Sequence, residues 1–100
     1  MILEVAKLDI KAGTQKDYES AFSEAEQIIS SMKGYVSHQF QKCIEKENRY
    51  LLLVKWESLE DHTEGFRNSP EYQKWRALLH HFYKEFPEVE HYQLLAGDNA

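Results

Sequence analysis

The stretch that decides the fold is Tyr50-Leu51-Leu52-Leu53-Val54-Lys55-Trp56, a near-continuous apolar run. A strand covered on one face alternates apolar and polar residues, whereas a continuous apolar run is typical of a strand that is covered on both faces. Residues 50–57 are therefore predicted to form a strand in the middle of a sheet. Residues 35–44 are strand-like as well, and the charged residues 45–49 predict a hairpin connection between the two strands.

The segment before this hairpin predicts a strand followed by a helix. Residues 2–10 carry apolar side chains on both strand parities, so both faces of this strand need cover. Thr14 with Asp17 predicts a weak capping box at the start of the helix. The helix has one apolar stripe at i, i+3, i+4 spacing and is expected to stop at Gly34. The stripe consists of Tyr18, Ala21, Phe22, Ala25, Ile28, Ile29 and Met32.

The segment after the hairpin predicts two helical pieces and a last strand. Ser58 followed by Asp61 is expected to begin a short helix, and Ser69-Pro70 a longer one that runs to about residue 84, because serine is favoured at the N-cap and proline at the first helical position. Residues 89–95 alternate weakly and predict a fourth strand.

The resulting order β-α-β-β-α-β indicates an α+β, ferredoxin-like domain: a four-stranded antiparallel sheet with both helices on one face. We expect one domain over residues 1–96 and a frayed tail over residues 97–100. The first and third strands are apolar on both faces of the sheet, but the two helices cover only one of these faces. A second copy packed sheet to sheet would cover the other, so the sequence predicts a homodimer, a dimeric α/β barrel.

Composition excludes several classes of protein. The 100 residues carry a net charge of −5 without a cluster of Lys and Arg, which argues against a nucleic-acid-binding surface. No apolar run approaches the ~18 residues that a membrane span needs. Cys43 is the only cysteine, which fits a reducing compartment, so a cytoplasmic location is expected.

The five histidines do not predict a metal site. No H-x-x-x-H or H-E-x-x-H pairing exists, and the adjacent His80 and His81 would project about 100° apart on a helix. We also expect no nucleotide, because the four glycines are scattered and form no phosphate-binding loop.

The long predicted helix carries the best candidate site. Tyr72, Arg76, His80 and Tyr83 stand at i, i+4, i+8 and i+11, beside the apolar Trp75. Such a ridge can line a cleft for a flat ligand, with Arg and His as polar partners and aromatic rings as walls. The alternative is an ordinary helix edge with Arg76 in solvent. His62 likewise either caps this cleft or only serves the local helix, and Trp56 is expected in the core because it ends the most buried strand.

Three segments resemble the antibiotic biosynthesis monooxygenase (ABM) domain family of dimeric α/β barrels. They are Val54-Lys55-Trp56-Glu57-Ser58-Leu59-Glu60-Asp61-His62, then Phe66-Arg67-Asn68-Ser69-Pro70-Glu71-Tyr72, and Val89-Glu90-His91-Tyr92. The resemblance extends from Ile2 to Leu95. It implies a dimeric barrel with a pocket between sheet and helices in each subunit.

The oxygenase branch of this family implies a monooxygenase that needs no cofactor and oxidises a small aromatic phenol or quinol with O₂. On this resemblance His62 or His80 would accept a proton, while Arg76 and Tyr72 would stabilise the developing anion. The aromatic walls would be Phe22, Trp56, Phe66 and Trp75.

Two other functions stay open at this stage. In a haem-degrading member, the expected Asn, Trp and His fall at Ala6, Phe66 and Arg76, so all three are lost and His80 would have to ligate the iron. A non-catalytic barrel, either a small-molecule binder or a stress-related protein, is the second alternative. An enzyme should leave a cavity of several hundred Å³ beside Arg76 and His80, whereas a purely structural dimer should fill that space.

Overall fold

Four strands and two main helices alternate along the computed structural model, which describes residues 1–98. The strands are β1 (Ile2–Asp9), β2 (Tyr35–Lys42), β3 (Arg49–Trp56) and β4 (Glu88–Gln93). The helices are α1 (Gln15–Ile29) and α2 (Pro70–Leu79), with a π-helix at Asp61–Phe66 before α2 and a 3₁₀ turn at His80–Phe82 after it. The predicted β-α-β-β-α-β order is confirmed.

The strands form one antiparallel sheet in the order β2-β3-β1-β4. The apolar run that led to the fold prediction is therefore an internal strand, as predicted. Its residues Leu52 and Val54 are buried on the side that carries the helices, while Leu51 and Leu53 are half-buried on the opposite side. The ferredoxin-like arrangement thus leaves one face of the sheet without cover from residues 1–98.

Three local predictions were wrong. The first helix ends at Ile29 and not at Gly34, because the N–H groups of Ser31 and Met32 donate to carbonyls three residues back and close turns instead. Thr14 precedes α1, but its hydroxyl donates to the carbonyl of Lys11 at 2.7 Å and makes no side-chain cap, so the predicted capping box with Asp17 does not form. The second main helix ends at Leu79 and not near residue 84. Beyond it the backbone pairs with the end of β1 instead, where Lys84 N–H donates to the Asp9 carbonyl at 2.9 Å.

The predicted start of the second main helix was correct. Ser69 caps α2, because its hydroxyl accepts a hydrogen bond from the Tyr72 N–H at 3.2 Å, and Pro70 takes the first helical position. Gly34 lies in the turn directly before β2 with a φ of +84°, and a Cβ there would collide with the Asp61 side chain. Glycine therefore lets the start of the π-helix lie directly against this turn.

The C-terminal end of the chain differs from the prediction in detail. The last strand covers Glu88–Gln93 rather than residues 89–95. Gly97 and Asp98 belong to no helix or strand, and the remaining residues of the predicted tail, Asn99 and Ala100, lie outside the described residues. None of the helices within residues 1–98 has the length and apolar character that a membrane span requires.

Candidate functional site

A cavity of about 320 Å³ lies between the sheet and the segment that runs from the π-helix to β4. Its floor is formed by helix-facing residues of β1 and β3, and its walls come from the π-helix, α2 and the turn that follows. Its lining residues include Glu4, Ala6, His62, Phe66, Tyr72 and Trp75, together with Arg67, His80 and Tyr83.

Glu4 is the buried acid of this cavity. Glu4 lies on β1 between apolar neighbours and faces the helices. Only 5% of this residue is exposed to solvent. The Trp56 indole N–H donates to Glu4 Oε1 at 3.0 Å. Burial raises the pKa of the Glu4 carboxyl to about 7, although the Trp56 hydrogen bond and the positive charge of Arg67 act in the opposite direction.

His62 lies next to Glu4 and is 3% exposed. Its Nε2 is 3.3 Å from Glu4 Oε1, and its Nδ1 is 2.8 Å from Nε2 of His91 on β4. Burial, with smaller contributions from Arg67 and His91, lowers the pKa of His62 to about 3. His62 is therefore neutral at physiological pH, and its contact with Glu4 is between a neutral imidazole and a carboxyl group rather than an ion pair.

The π-helix explains how His62 enters the cavity. Ser58 accepts the Asp61 N–H at 3.2 Å and donates to the Asp61 carboxylate at 3.0 Å, which fixes the entry to this helix. The helix then buries His62 and Phe66, while Glu64 and Gly65 remain exposed. π-Helical turns are rare and often occur at functional sites, and this one places an imidazole and an aromatic wall in the same cavity.

The α2 side of the cavity is aromatic. The Phe66 ring meets Tyr72 edge-on at 5.2 Å and Trp75 edge-on at 5.7 Å. His80 lies edge-on to Tyr72 at 6.2 Å and is half-buried. Its pKa is lowered by burial and, less strongly, by the Arg76 charge. These rings form the walls of a slot suited to a flat apolar ligand.

Five of the eight predicted site residues line this cavity and three do not. His62, Phe66, Tyr72, Trp75 and His80 come together as lining residues. Arg76 is exposed, and its side chain influences His80 through its charge. Trp56 lies beneath the cavity, with its ring stacked on His62 at 5.4 Å, and is fully buried, as predicted for a core residue.

Phe22 belongs to a different part of the core. Its ring stacks on Phe40 at 3.7 Å, and it reaches the cavity only through an edge contact with Trp75 at 5.9 Å. It supports a wall and does not form one.

Sequence reasoning missed Glu4, Arg67 and His91. Glu4 shares its strand parity with Ala6 and Leu8, both buried, so an acidic residue at a core-facing position was the available signal. His91 could not be linked to His62, since the two residues are 29 positions apart and only the sheet register brings them together. Arg67 follows the π-helix, whose geometry was not predicted.

Within residues 1–98, no group of three or more His, Cys, Asp and Glu side chains is arranged to hold a metal ion. Of the three positions considered for haem, Ala6 and Phe66 line the cavity and Arg76 does not.

Comparisons with known proteins agree on one family. The model of the family described as Antibiotic biosynthesis monooxygenase (ABM) matches residues 1–78. Protein YczJ of Bacillus subtilis strain 168 is 59% identical over 93 residues, which are 93% of this chain and 98% of YczJ. YczJ itself is uncharacterized.

Solved structures share the fold. A Bordetella bronchiseptica protein, provisionally assigned as an antibiotic biosynthesis monooxygenase, is 30% identical with a TM-score of 0.91 and covers 95% of this chain and 97% of its own. SnoaB, a cofactor-independent oxygenase from Streptomyces nogalater, is 17% identical with a TM-score of 0.81, over 99% of this chain and 97% of SnoaB. At that identity SnoaB is similar in fold alone.

Proposed function

Because the chain belongs to the antibiotic biosynthesis monooxygenase family, we propose that it is a cofactor-independent monooxygenase that oxidises a small aromatic phenol or quinol with O₂. The observation that carries the proposal is a buried carboxyl group, Glu4, at the floor of an aromatic cavity of about 320 Å³. A pKa of about 7 makes this group a proton acceptor near physiological pH.

The chemistry needs few groups from the protein. Glu4 takes the proton of the phenol O–H, and the electron-rich phenolate then gives one electron to O₂. The two radicals combine by forming a C–O bond, and Glu4 returns its proton to the resulting peroxide anion. The hydroperoxide then loses water as its O–O bond and a ring C–H bond break. Phenol and O₂ thus become quinone and water, with all atoms balanced.

The remaining lining residues take supporting roles in this proposal. His62 has both ring nitrogens engaged and a pKa of about 3, so it orients Glu4 and does not itself accept the substrate proton. In this proposal Tyr72 and His80, which line the cavity, donate hydrogen bonds to the developing anion, and Phe66 and Trp75 bound the ring. Arg67, which lines the cavity, takes the part of the cation expected at Arg76.

A non-catalytic small-molecule-binding barrel is the second candidate, and the same open cavity supports it. The two candidates differ at Glu4. A binder for apolar ligands gains nothing from a buried carboxyl group, whose desolvation is costly, whereas a base for a phenol requires one.

We also propose that the protein works as a homodimer. The face of the sheet opposite the helices carries Leu3, Val5, Leu51 and Leu53, all half-buried, with Val5 directly opposite Leu53 across the β1–β3 pair. A second copy packed on this face would bury it. Sedimentation at micromolar concentration should give the mass of two chains, and the mass of one chain would contradict the dimer.

The test of the proposed activity is O₂ consumption and quinone formation with a panel of naphthol-type phenols. Turnover should require O₂, and Glu4→Gln should lower kcat by about 10²–10⁴-fold, the usual contribution of a general base. Glu19→Gln is the matched control, because Glu19 also accepts a hydrogen bond from an aromatic side chain but is exposed. Phenol binding without turnover would favour the non-catalytic binder. Unchanged turnover in Glu4→Gln would contradict the role of Glu4.

A further inference from the structure

We propose that Glu4, His62 and His91 form a proton-conducting chain in which His62 changes tautomer whenever Glu4 gains or loses a proton. The chain runs from the cavity to the edge strand β4. It deepens the proposed function by giving the proposed proton acceptor a connection to solvent, but it rests on contacts that are present without substrate.

Both ring nitrogens of His62 have a partner. Nδ1 is 2.8 Å from His91 Nε2, and Nε2 is 3.3 Å from Glu4 Oε1, at the long end of hydrogen-bond range. A neutral imidazole has one N–H donor and one acceptor nitrogen. With the Glu4 proton placed on Oε1, the oxygen that faces His62, two arrangements satisfy both contacts at once.

In the first arrangement Glu4 is ionised. His62 Nε2–H donates to the carboxylate, and His91 Nε2–H donates to His62 Nδ1. In the second, Glu4 is protonated and donates to His62 Nε2, while His62 Nδ1–H donates to His91 Nε2. In both arrangements the protonation state of Glu4 determines which tautomer His62 adopts.

Conversion of the second arrangement into the first releases one proton. The Glu4 O–H bond breaks as the His62 Nε2–H bond forms, and the His62 Nδ1–H bond breaks as the His91 Nε2–H bond forms. The proton on His91 Nδ1 passes to water. Glu4 gains a negative charge, and both histidines are neutral before and after the transfer.

Burial restricts His62 to this route. The Trp56 ring stacks on it at 5.4 Å with an angle of 22° between the rings, and the residue is 3% exposed. A charged imidazolium is strongly disfavoured there, as its low pKa indicates. The proton can therefore cross His62 only by entering at one nitrogen while another proton leaves from the other.

Polar and charged groups surround Glu4 on several elements. β3 supplies the Trp56 indole, the π-helix supplies His62, and the residue after that helix supplies the Arg67 charge, which lowers the pKa values of Glu4, His62 and His91 alike. The groups across the cavity are Tyr72, His80 and Tyr83. With a Glu4 pKa of about 7, both arrangements are populated near neutral pH.

The proton-conducting chain is important when a ligand occupies the cavity. A ligand that fills the cavity shields Glu4 from water on that side. His91, which is half-buried on an edge strand, keeps contact with solvent. Glu4 can then exchange its proton with bulk water through His62 and His91 without release of the ligand.

The test is ¹⁵N NMR of the histidine side chains in the ligand-free wild-type protein from pH 5 to 9. The Nδ1 and Nε2 signals of His62 should exchange their protonated and unprotonated positions with a midpoint near 7, the pKa of Glu4, and should not reach imidazolium positions. Glu4→Gln should abolish this pH dependence, and His91→Gln should shift its midpoint. His81→Gln is the control that leaves it unchanged, since the His81 ring packs on Phe82 and lies away from the cavity lining.

A single His62 tautomer across the whole pH range, or an imidazolium signal near pH 6, would overturn the proposal. The experiment uses neither phenol nor O₂. Failure of the tautomer change therefore leaves the oxidation test intact, and absence of oxidation leaves the tautomer result intact.

Discussion

The space between the sheet and the helices has two ends that use aromatic residues differently. The closed end, which we define as Tyr18, Phe22, Phe40 and Tyr50, is filled by rings: Phe40 stacks on Phe22 at 3.7 Å and on Tyr50 at 5.1 Å. The open end, defined as Glu4, His62, Phe66 and Trp75, encloses the cavity of about 320 Å³. Aromatic residues at the first end supply packing, and at the second they bound space for a ligand.

The acids at the two ends make the contrast sharper. Each accepts a hydrogen bond from an aromatic side chain: Glu19 from the Tyr50 hydroxyl at 2.5 Å, and Glu4 from the Trp56 indole at 3.0 Å. The hydrogen bond lowers the pKa of the exposed Glu19, whereas burial raises that of Glu4. Desolvation, and not the hydrogen bond, therefore decides which acid can exchange protons near neutral pH.

The largest effect should come from removing a ring at the closed end. Phe22→Ala should lower the free energy of unfolding by about 3–5 kcal/mol, because a fully packed ring is replaced by a cavity. Tyr72→Ala at the open end should cost about 1 kcal/mol, since Tyr72 is half-buried beside existing space. Denaturant unfolding measures both, and equal losses would remove the distinction between the two ends.

The second effect is a pH dependence of stability that comes from Glu4. Its pKa is raised from 4.5 to about 7 in the folded state, so the folded protein holds this proton more tightly than the unfolded chain. The cost of ionising Glu4 appears as the pH rises through this window and is complete above it. Between pH 5 and 8 the wild type should lose about 2–3 kcal/mol relative to Glu4→Gln.

Urea unfolding of the wild type and of Glu4→Gln at a series of pH values measures this difference. The contribution of His62 to the pH dependence of stability is present in both proteins. Glu19→Gln should give a smaller difference of the opposite sign, because the Glu19 pKa is lowered and its side chain is exposed. If the free energy of unfolding changed with pH in the same way in the wild type and in Glu4→Gln, Glu4 would not be desolvated.

The third prediction compares an alanine-to-leucine substitution in the packed core of α1 with the same substitution at the open cavity. Ala25→Leu on α1 enlarges a fully buried residue where no cavity is available, and overpacking should cost about 1–3 kcal/mol. Ala6→Leu on β1 points into the open cavity and should change stability by less than about 1 kcal/mol. It should also weaken binding of a naphthol probe by about tenfold or more, because it fills the space that the probe needs.

Fluorescence binding titrations and unfolding curves check the pair. Wild-type affinity in Ala6→Leu would place the ligand somewhere other than this cavity.

Much of the fold follows from the sequence because it depends on local signals. The run at Tyr50–Trp56 predicts an internal strand, and Ser69-Pro70 predicts the start of α2. The end of α2 could not be predicted, since the backbone there is captured by hydrogen bonds to the end of β1, more than 70 residues earlier in the chain.

The site is less predictable than the fold for the same reason. Helical spacing grouped Tyr72, Trp75 and His80, whereas the family resemblance added Phe66 and supported His62. All five line the same cavity. Glu4 and His91 reach the site only through the register of β1 and β4, which no local pattern specifies. Arg76 was expected beside His80 from helical spacing, but its side chain extends into solvent.

The most direct measurement is the titration of the Glu4 side-chain carboxyl by ¹³C NMR, with the signal assigned by its absence in Glu4→Gln. A buried proton acceptor at the open end should titrate with a midpoint near 7. A midpoint near the ordinary value of 4.5 would mean that the carboxyl is solvated, and would contradict the proposed site.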